Sequence, residues 1–227
     1  MKPITDAVCD FLEKYPPSLE LYRALHQAGD LYLIGGVLRE YRDKGDIEEL
    51  RDIDIIINVT SQGAWQELLD KYSPVRNSFG GYKVLCEDFV IDVWVIEETW
   101  AYREEIISCS ESEYVKYLPE TVFLNLDAII YDIKRDIWYD QMYCEAMKNR
   151  EIDIVLEKNP QLLLNTVRAF VLKKRYNMCF SERLVRIIKR EKELNKNFIK
   201  DLLDIQKERY GKEIMCKSEI QQIVETY

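Results

Sequence analysis

The sequence predicts an α/β domain followed by a helical domain. Hydrophobic residues make up 47% and charged residues 32% of the 227-residue chain, with only 8 Gly and 6 Pro. This balance is typical of an ordered globular protein. Short β-branched runs alternate with helical periods as far as about residue 140, and the period stays helical from about residue 145. We therefore place an α/β domain at residues 1–142 and a helical domain at residues 143–227.

The elements of the first domain follow from local patterns. Residues 5–28 have an amphipathic helical period that the prolines Pro16 and Pro17 interrupt. The pattern then predicts a strand at 31–34, a helix after Gly35-Gly36 that stops at Gly45, a strand at 52–59, a helix within 63–73, two strands at 82–88 and 89–97 joined near Glu87-Asp88, and a hairpin within 123–140 that turns at 133–136.

The net charge of −9 is unevenly distributed. Residues 168–227 hold 15 Lys and Arg against 9 Asp and Glu, whereas residues 1–167 hold 17 against 32. An acidic front and a basic tail are compatible with two domains or with a separate face for a polyanion. A solvated helix surface would explain the same charges, and charge alone favours that simpler interpretation.

Several classes of protein are disfavoured. No stretch approaches ~18 uninterrupted apolar residues, the length that a membrane span needs, so we expect no membrane partner. The start "MKPITDAVCDFLEK" has acidic residues where a signal peptide needs an apolar run, so we expect a cytoplasmic protein. The six cysteines have no zinc-type spacing. The single histidine, His26, lies in a helical pattern, which disfavours histidine-based triads.

Two carboxylates on the predicted strand at 52–59 form the first candidate site. Alternation along a strand places Asp52 and Asp54 on the same face, where they repel each other unless a cation lies between them. Mg²⁺ takes oxygen ligands at about 2.0–2.1 Å and keeps positions open for water and phosphate oxygens. Asp92, on a later strand, would be within reach if the strands are neighbours. Three carboxylates of this kind are typical of phosphoryl-transfer sites with two metals.

A glycine pair fits beside these carboxylates. Gly35 and Gly36 follow a strand and precede a helix, where bare backbone N–H groups can contact a phosphate. Arg39, in the first turn of that helix, has the planar guanidinium that binds phosphate oxygens in pairs. The alternative is an ordinary turn, a solvated strand edge and a surface arginine.

The segment "YLIGGVLREY…RDIDIII" resembles the opening of the head domain of class II tRNA nucleotidyltransferases and poly(A) polymerases, within the polymerase-beta-like nucleotidyltransferase superfamily. The resemblance continues through a Phe-Gly entry at Phe79 into the strands of 77–98, through a closing strand pair at 126–140, and into the first neck helices at 156–184, which include Arg168.

The resemblance implies a fold, a site and an activity. The fold is a nucleotidyltransferase head, with a mixed sheet and flanking helices, followed by a small helical neck. Asp52, Asp54 and Asp92 would bind catalytic Mg²⁺ (or Mn²⁺), and the residues Gly35, Gly36, Arg39, Asn125, Asn159 and Arg168 would contact the nucleotide. Members of this family transfer NMP from an NTP to an RNA 3′-hydroxyl and release pyrophosphate, so NTP and RNA are the implied partners.

The chain departs from the family pattern at three places. "PETVFLN" stands where the family has an Arg-Arg-Asp segment, so Asn125 or Asp127 would replace it only in part. Lys158, Asn159 and Pro160 begin the segment where the neck carries its base-reading Glu-Asp-x-x-Arg. The chain also stops where the family's body and tail domains would continue.

Two other hypotheses therefore stay open beside the enzyme. One is a degenerate nucleotidyltransferase that binds nucleotide or RNA as a regulator. The other is a structural or partner-binding protein with a solvated acidic strand edge. The sequence does not specify an oligomeric state.

Overall fold

The computed structural model describes residues 2–77, 80–87 and 89–226, which form two compact units. The first unit contains residues 1–121 and 127–141, and the second contains residues 122–126 and 142–227. The short segment 122–126, which the sequence division assigned to the first domain, belongs to the second unit. Phe79 of the Phe-Gly entry and Asp88 of the predicted turn lie outside the described residues.

The first unit is built on one seven-stranded mixed sheet in the order β3-β4-β5-β2-β1-β6-β7. Its elements are α1 (Ile4–Leu12), α2 (Pro16–Ala28), β1 (Gly29–Ile34), α3 (Gly36–Lys44), β2 (Asp52–Val59), α4 (Gln62–Tyr72), β3 (Val75–Arg76), β4 (Tyr82–Cys86), β5 (Phe89–Val95), α5 (Trp100–Arg103), α6 (Tyr114–Tyr117), β6 (Ile130–Asp132) and β7 (Ile137–Tyr139). Strands β2 and β5 are parallel and the other neighbours are antiparallel. The predicted mixed sheet with flanking helices is confirmed.

Local sequence explains where these elements begin and end. Pro16 opens α2, a position where its missing N–H costs nothing. Gly45 ends α3 with φ 75°, a left-handed conformation that glycine adopts without a steric cost. The hydroxyl of Ser61 accepts a hydrogen bond from the N–H of Ala64 at 3.4 Å and caps the start of α4.

One face of the sheet is the main core of the first unit. The odd-numbered residues of β2 from Ile53 to Ile57, with Ile91 and Val93 of β5, are fully buried on this face. Helix α1 packs here through the ring of Phe11, which lies 5.3 Å from the ring of Phe89. Because a helical layer covers this face, charged residues on these strands are left to the opposite face.

The opposite face is covered only in part. Tyr32, Ile56 and Trp94 belong to an apolar cluster under the segment 96–121, whose Tyr102 and Leu118 are buried against it. The neighbouring row of side chains on the same face contains the carboxylates of β2 and β5. The fold thus places those carboxylates beside an apolar cluster and not inside it.

The second unit is mainly helical. Its elements are α7 (Gln141–Asn149), β8 (Glu151–Ile152), α8 (Leu162–Tyr176), β9 (Cys179–Phe180), α9 (Glu182–Leu194), α10 (Phe198–Tyr210) and α11 (Lys217–Thr226). The prediction of unbroken helical structure from about residue 145 is wrong at β8 and β9, which form a short parallel pair. Arg150 and Asn177 have positive φ just before these strands and redirect the chain out of the helices. No helix in the described ranges has the length and apolar character needed to cross a membrane.

Candidate active site

The register between β2 and β5 places three carboxylates on one face of the sheet. Asp54 pairs directly with Asp92 across the parallel strands, and Asp52 lies two residues before Asp54. Residues paired in register point to the same side of a sheet, as do residues two apart on one strand. Asp52 and Asp54 are half-buried, and Asp92 is 9% exposed. These acidic groups are concentrated where solvent screens them only partly.

The row continues to a lysine on the next strand. Lys83 of β4 pairs in register with Asp92, and its Nζ lies 3.9 Å from Asp92 Oδ2. The ammonium group places one positive charge beside the carboxylates, and the exposed lysine side chain remains able to reach an anionic ligand.

Asp52 has a cationic neighbour of its own. Arg51 donates to Asp52 Oδ2 from Nε at 2.9 Å and from Nη2 at 2.6 Å. Among the described residues, no group of three Asp, Glu, His or Cys side chains is arranged to hold a metal ion. The donor set itself, carboxylate oxygens on one face, fits Mg²⁺ or Mn²⁺. Asp52 would have to turn away from Arg51 to join Asp54 and Asp92 around one ion.

A glycine turn faces Asp54 at the end of β1. Gly35 has φ 69° and ψ −123°, a conformation that residues with a side chain rarely adopt. A Cβ atom at Gly35 would lie 3.6 Å from Asp54 Oδ2, so the carboxylate lies beside the turn. The first backbone bond of α3 runs from the N–H of Arg39 to the carbonyl of Gly35 at 3.2 Å. The N–H groups of the three preceding residues are therefore at the helix start, where anions bind.

Arg39 lies under this turn and not on the surface. Its side chain is 9% exposed and its Nη1 donates to Asp127 Oδ1, whose side chain is also 9% exposed. The other terminal nitrogen, Nη2, lies 4.0 Å from the position that a Cβ at Gly36 would take. One edge of the guanidinium therefore contacts a carboxylate and the other approaches the glycine turn.

The remaining three predicted residues lie in the second unit. Asn125 is half-buried and donates from Nδ2 to the carbonyl of Glu151 at 3.0 Å. Asn159 lies just before α8, and its Oδ1 accepts from the N–H of Gln161 at 3.0 Å and from Asn165 at 2.7 Å. These two hydrogen bonds give Asn159 a structural role at the start of the helix. Arg168 is half-buried on α8.

The structure adds three residues to the surroundings of the predicted site. Lys83 and Arg51 are not among the residues that the sequence predicts for the site, and the sequence predicts for Asp127 only a partial replacement of the missing arginine segment. The alternation of β4 offered a signal for Lys83, because it alternates with the buried Val84 and Cys86 and so points to the opposite face of the sheet. The contact between Arg39 and Asp127 spans 88 positions, and no local pattern predicts it.

Comparisons with known proteins report on the fold. No protein-family model matches the chain, and no curated protein has a significant match to it. A solved CCA-adding enzyme in complex with ATP matches 95% of the chain with a TM-score of 0.62 and 16% sequence identity. The chain has the fold of CCA-adding enzymes. The resemblance seen in the sequence is confirmed at the level of the fold.

Two further solved structures agree. A tRNA-processing enzyme in an apo form matches 95% of the chain with a TM-score of 0.58 and 16% identity. A tRNA nucleotidyltransferase complexed with a primer tRNA and an incoming ATP analogue matches 91% with a TM-score of 0.57 and 17% identity. The chain spans about half the length of these structures, between 52% and 60% of each.

Proposed function

We propose that the protein is a nucleotidyltransferase that transfers NMP from an NTP to a hydroxyl acceptor and releases pyrophosphate. The observation that carries the proposal is the row of Asp52, Asp54 and Asp92 on one sheet face, with Asp54 beside the glycine turn at Gly35. Carboxylates alone would repel a triphosphate, so the row can bind a triphosphate only when cations are bound there.

The chain supplies two kinds of contact to the nucleotide. The backbone N–H groups at the start of α3 would bind phosphate oxygens, because the absence of a side chain at Gly35 and Gly36 lets an anion approach closely. Arg39 would donate from its Nη2 edge to the same phosphates. Lys83, beside Asp92, would offset part of the charge on this face.

Asp54 and Asp92, with Asp52, would hold Mg²⁺ or Mn²⁺. When bound, such ions offset the phosphate charge and activate the acceptor hydroxyl. In the transfer, the acceptor oxygen forms a bond to the α-phosphorus while the bond to the bridging oxygen of the β-phosphate breaks. The hydroxyl proton passes to solvent, and pyrophosphate takes up the bonding electron pair. The chain holds the reacting groups in line and needs no histidine.

An RNA 3′ end is the acceptor that we favour. Two of the similar structures are those of a CCA-adding enzyme and of a tRNA nucleotidyltransferase complexed with a primer tRNA. The first unit contains 14 Lys and Arg against 28 Asp and Glu, whereas the second contains 18 against 13. A polyanion would therefore be attracted by the second unit and repelled by most of the first.

The decisive experiment follows a radiolabel from the α-phosphate of each NTP into total RNA in the presence of Mg²⁺ or Mn²⁺. Asp54→Asn should abolish the transfer, since it removes one carboxylate charge from the row. Asp30→Asn is the matched control, because Asp30 lies on the same sheet face at the far end of β1 and pairs with Lys134. Label that stays in NTP, with Asp54→Asn behaving as the parent does, would refute the enzymatic proposal.

A nucleotide-binding regulator without turnover is the second candidate. It is favoured by the engagement of Arg39 with Asp127 and of Asp52 with Arg51. Calorimetry would then show binding of ATP–Mg²⁺ in a protein that moves no label. A structural protein with a solvated acidic edge, in contrast, would gain no thermal stability from ATP or metal.

A further inference from the structure

We propose that Asp127 is a positioning residue that holds the guanidinium of Arg39 against the Gly35-Gly36 turn for contact with phosphate. The inference rests on the proposed nucleotide site and assigns to Asp127 a role that acts through Arg39, with no contact of its own to the nucleotide.

Arg39 and Asp127 come from two separate segments that meet at the end of β1. Arg39 lies in the first turn of α3, directly after β1 ends at Ile34. Asp127 closes a 3₁₀ turn just before β6, and Ile130 of β6 pairs with Ile34. The sheet thus brings the carboxylate to the foot of the glycine turn, although the two side chains are far apart in the chain.

The two terminal nitrogens of the Arg39 guanidinium face different groups. Nη1 donates to Asp127, while Nη2 lies 4.0 Å from the Cβ position of Gly36. A guanidinium is planar and has five N–H donors in a fixed arrangement, so holding one edge sets the direction of the other. Arginine remains charged when buried, and the carboxylate offsets that charge at the Nη1 edge.

A purely structural ion pair would attach α3 to the sheet and would not affect phosphate binding. The same helix contains a comparison, because Arg42 donates to Asp140 at the end of β7 and stacks 3.9 Å above the ring of Trp138. This second pair also ties α3 to the sheet, but it lies one turn further along the helix from the glycines. Asp140→Asn is therefore a matched control for the loss of an anchor on α3.

The test is calorimetric binding of inorganic tripolyphosphate, and of ATP with Mg²⁺, to the full chain and its variants. Asp127→Asn keeps the shape of the side chain and removes its charge. It should weaken both affinities about tenfold, in the range of a lost charge-assisted hydrogen bond. Asp140→Asn should change them less than about twofold. Unchanged affinity in Asp127→Asn would overturn the inference, and so would tighter binding, because the carboxylate would then merely neutralise Arg39.

A cycle of variants guards against misfolding of Asp127→Asn. The double variant Arg39→Gln/Asp127→Asn removes both buried charges, and it should bind tripolyphosphate as weakly as Arg39→Gln alone. A further loss in the double variant would mean that Asp127 acts independently of Arg39 and would overturn the inference.

The outcome is separable from that of the proposed function. A parent protein that binds tripolyphosphate more tightly than Asp127→Asn does, but transfers no label, contradicts the activity and leaves the positioning role supported. A parent that binds neither tripolyphosphate nor ATP overturns the positioning role, because Arg39 would then have no phosphate to contact.

Discussion

Replacing Gly35 by alanine tests the turn on which the candidate site depends. Gly35 has φ 69° and ψ −123°, a conformation that costs a residue with a side chain about 1–3 kcal/mol. The new Cβ would lie 3.6 Å from Asp54 Oδ2, an ordinary contact that adds no clash. The lower entropy of the unfolded alanine chain offsets about 0.4–1 kcal/mol. We therefore expect Gly35→Ala to lower the free energy of unfolding by about 1–2 kcal/mol.

Gly36→Ala separates strain from binding. Among the described residues, a Cβ at Gly36 would meet only Arg39 Nη2, at 4.0 Å, and alanine favours a helix over glycine by up to about 1 kcal/mol. Stability should therefore stay unchanged or rise. The added methyl group would lie where a phosphate is expected to approach, so the affinity for tripolyphosphate should fall about tenfold, or about 1.4 kcal/mol.

Thermal unfolding and calorimetry together decide between these expectations. Each kcal/mol corresponds to about 2–4 °C in the melting temperature of a chain of this size. Gly35→Ala should melt several degrees below the parent and Gly36→Ala should not. A melting temperature of Gly35→Ala equal to that of the parent would refute the assignment of a turn that requires glycine. Parent-like binding by Gly36→Ala would refute the phosphate approach.

Three other changes have defined outcomes. Gly81→Ala should destabilise the first unit by about 1–3 kcal/mol, because a Cβ there would lie 2.6 Å from the ring of Trp94. Denaturant unfolding equal to that of the parent would contradict this packing. Arg51→Gln should tighten Mn²⁺ binding by up to about fivefold, since it removes the guanidinium that contacts the Asp52 oxygen. Weaker Mn²⁺ binding by calorimetry would argue against Asp52 as a ligand. Burial raises the pKa of Tyr22, so the folded chain keeps a phenol that the unfolded chain ionises above about pH 10. Stability from this difference is present below that pH and declines above it, so Tyr22→Phe should lose less stability than the parent in alkaline denaturant titrations.

The sequence predicted most elements of the first unit because their signals are local. Strand β2 was predicted at its observed bounds, since five of the eight residues from Asp52 to Val59 are β-branched. Gly45 and Pro16 marked helix ends through their own backbone preferences. The strands β8 and β9 were missed because two-residue strands have no period to detect and exist only through their pairing.

The candidate site was predicted in part. Alternation along β2 alone requires that Asp52 and Asp54 share a face, and the glycine pair alone indicates a bend before a helix. The surroundings of Arg39 could not be predicted in the same way. The sequence allowed a surface arginine, whereas the side chain is buried against Asp127.

What the amino-acid sequence determined by itself is therefore the set of short-range features: strand alternation, helix ends and the order of the chemical groups along the chain. Only the tertiary structure decided that Asp92 is in register with Asp54, that Lys83 extends the row, and that Asp127 meets Arg39. The physical reason is that alternation and backbone preference belong to each residue and its neighbours, whereas register depends on which strands pair. Such pairing is selected by the burial of a whole sheet face, a property that no single segment has.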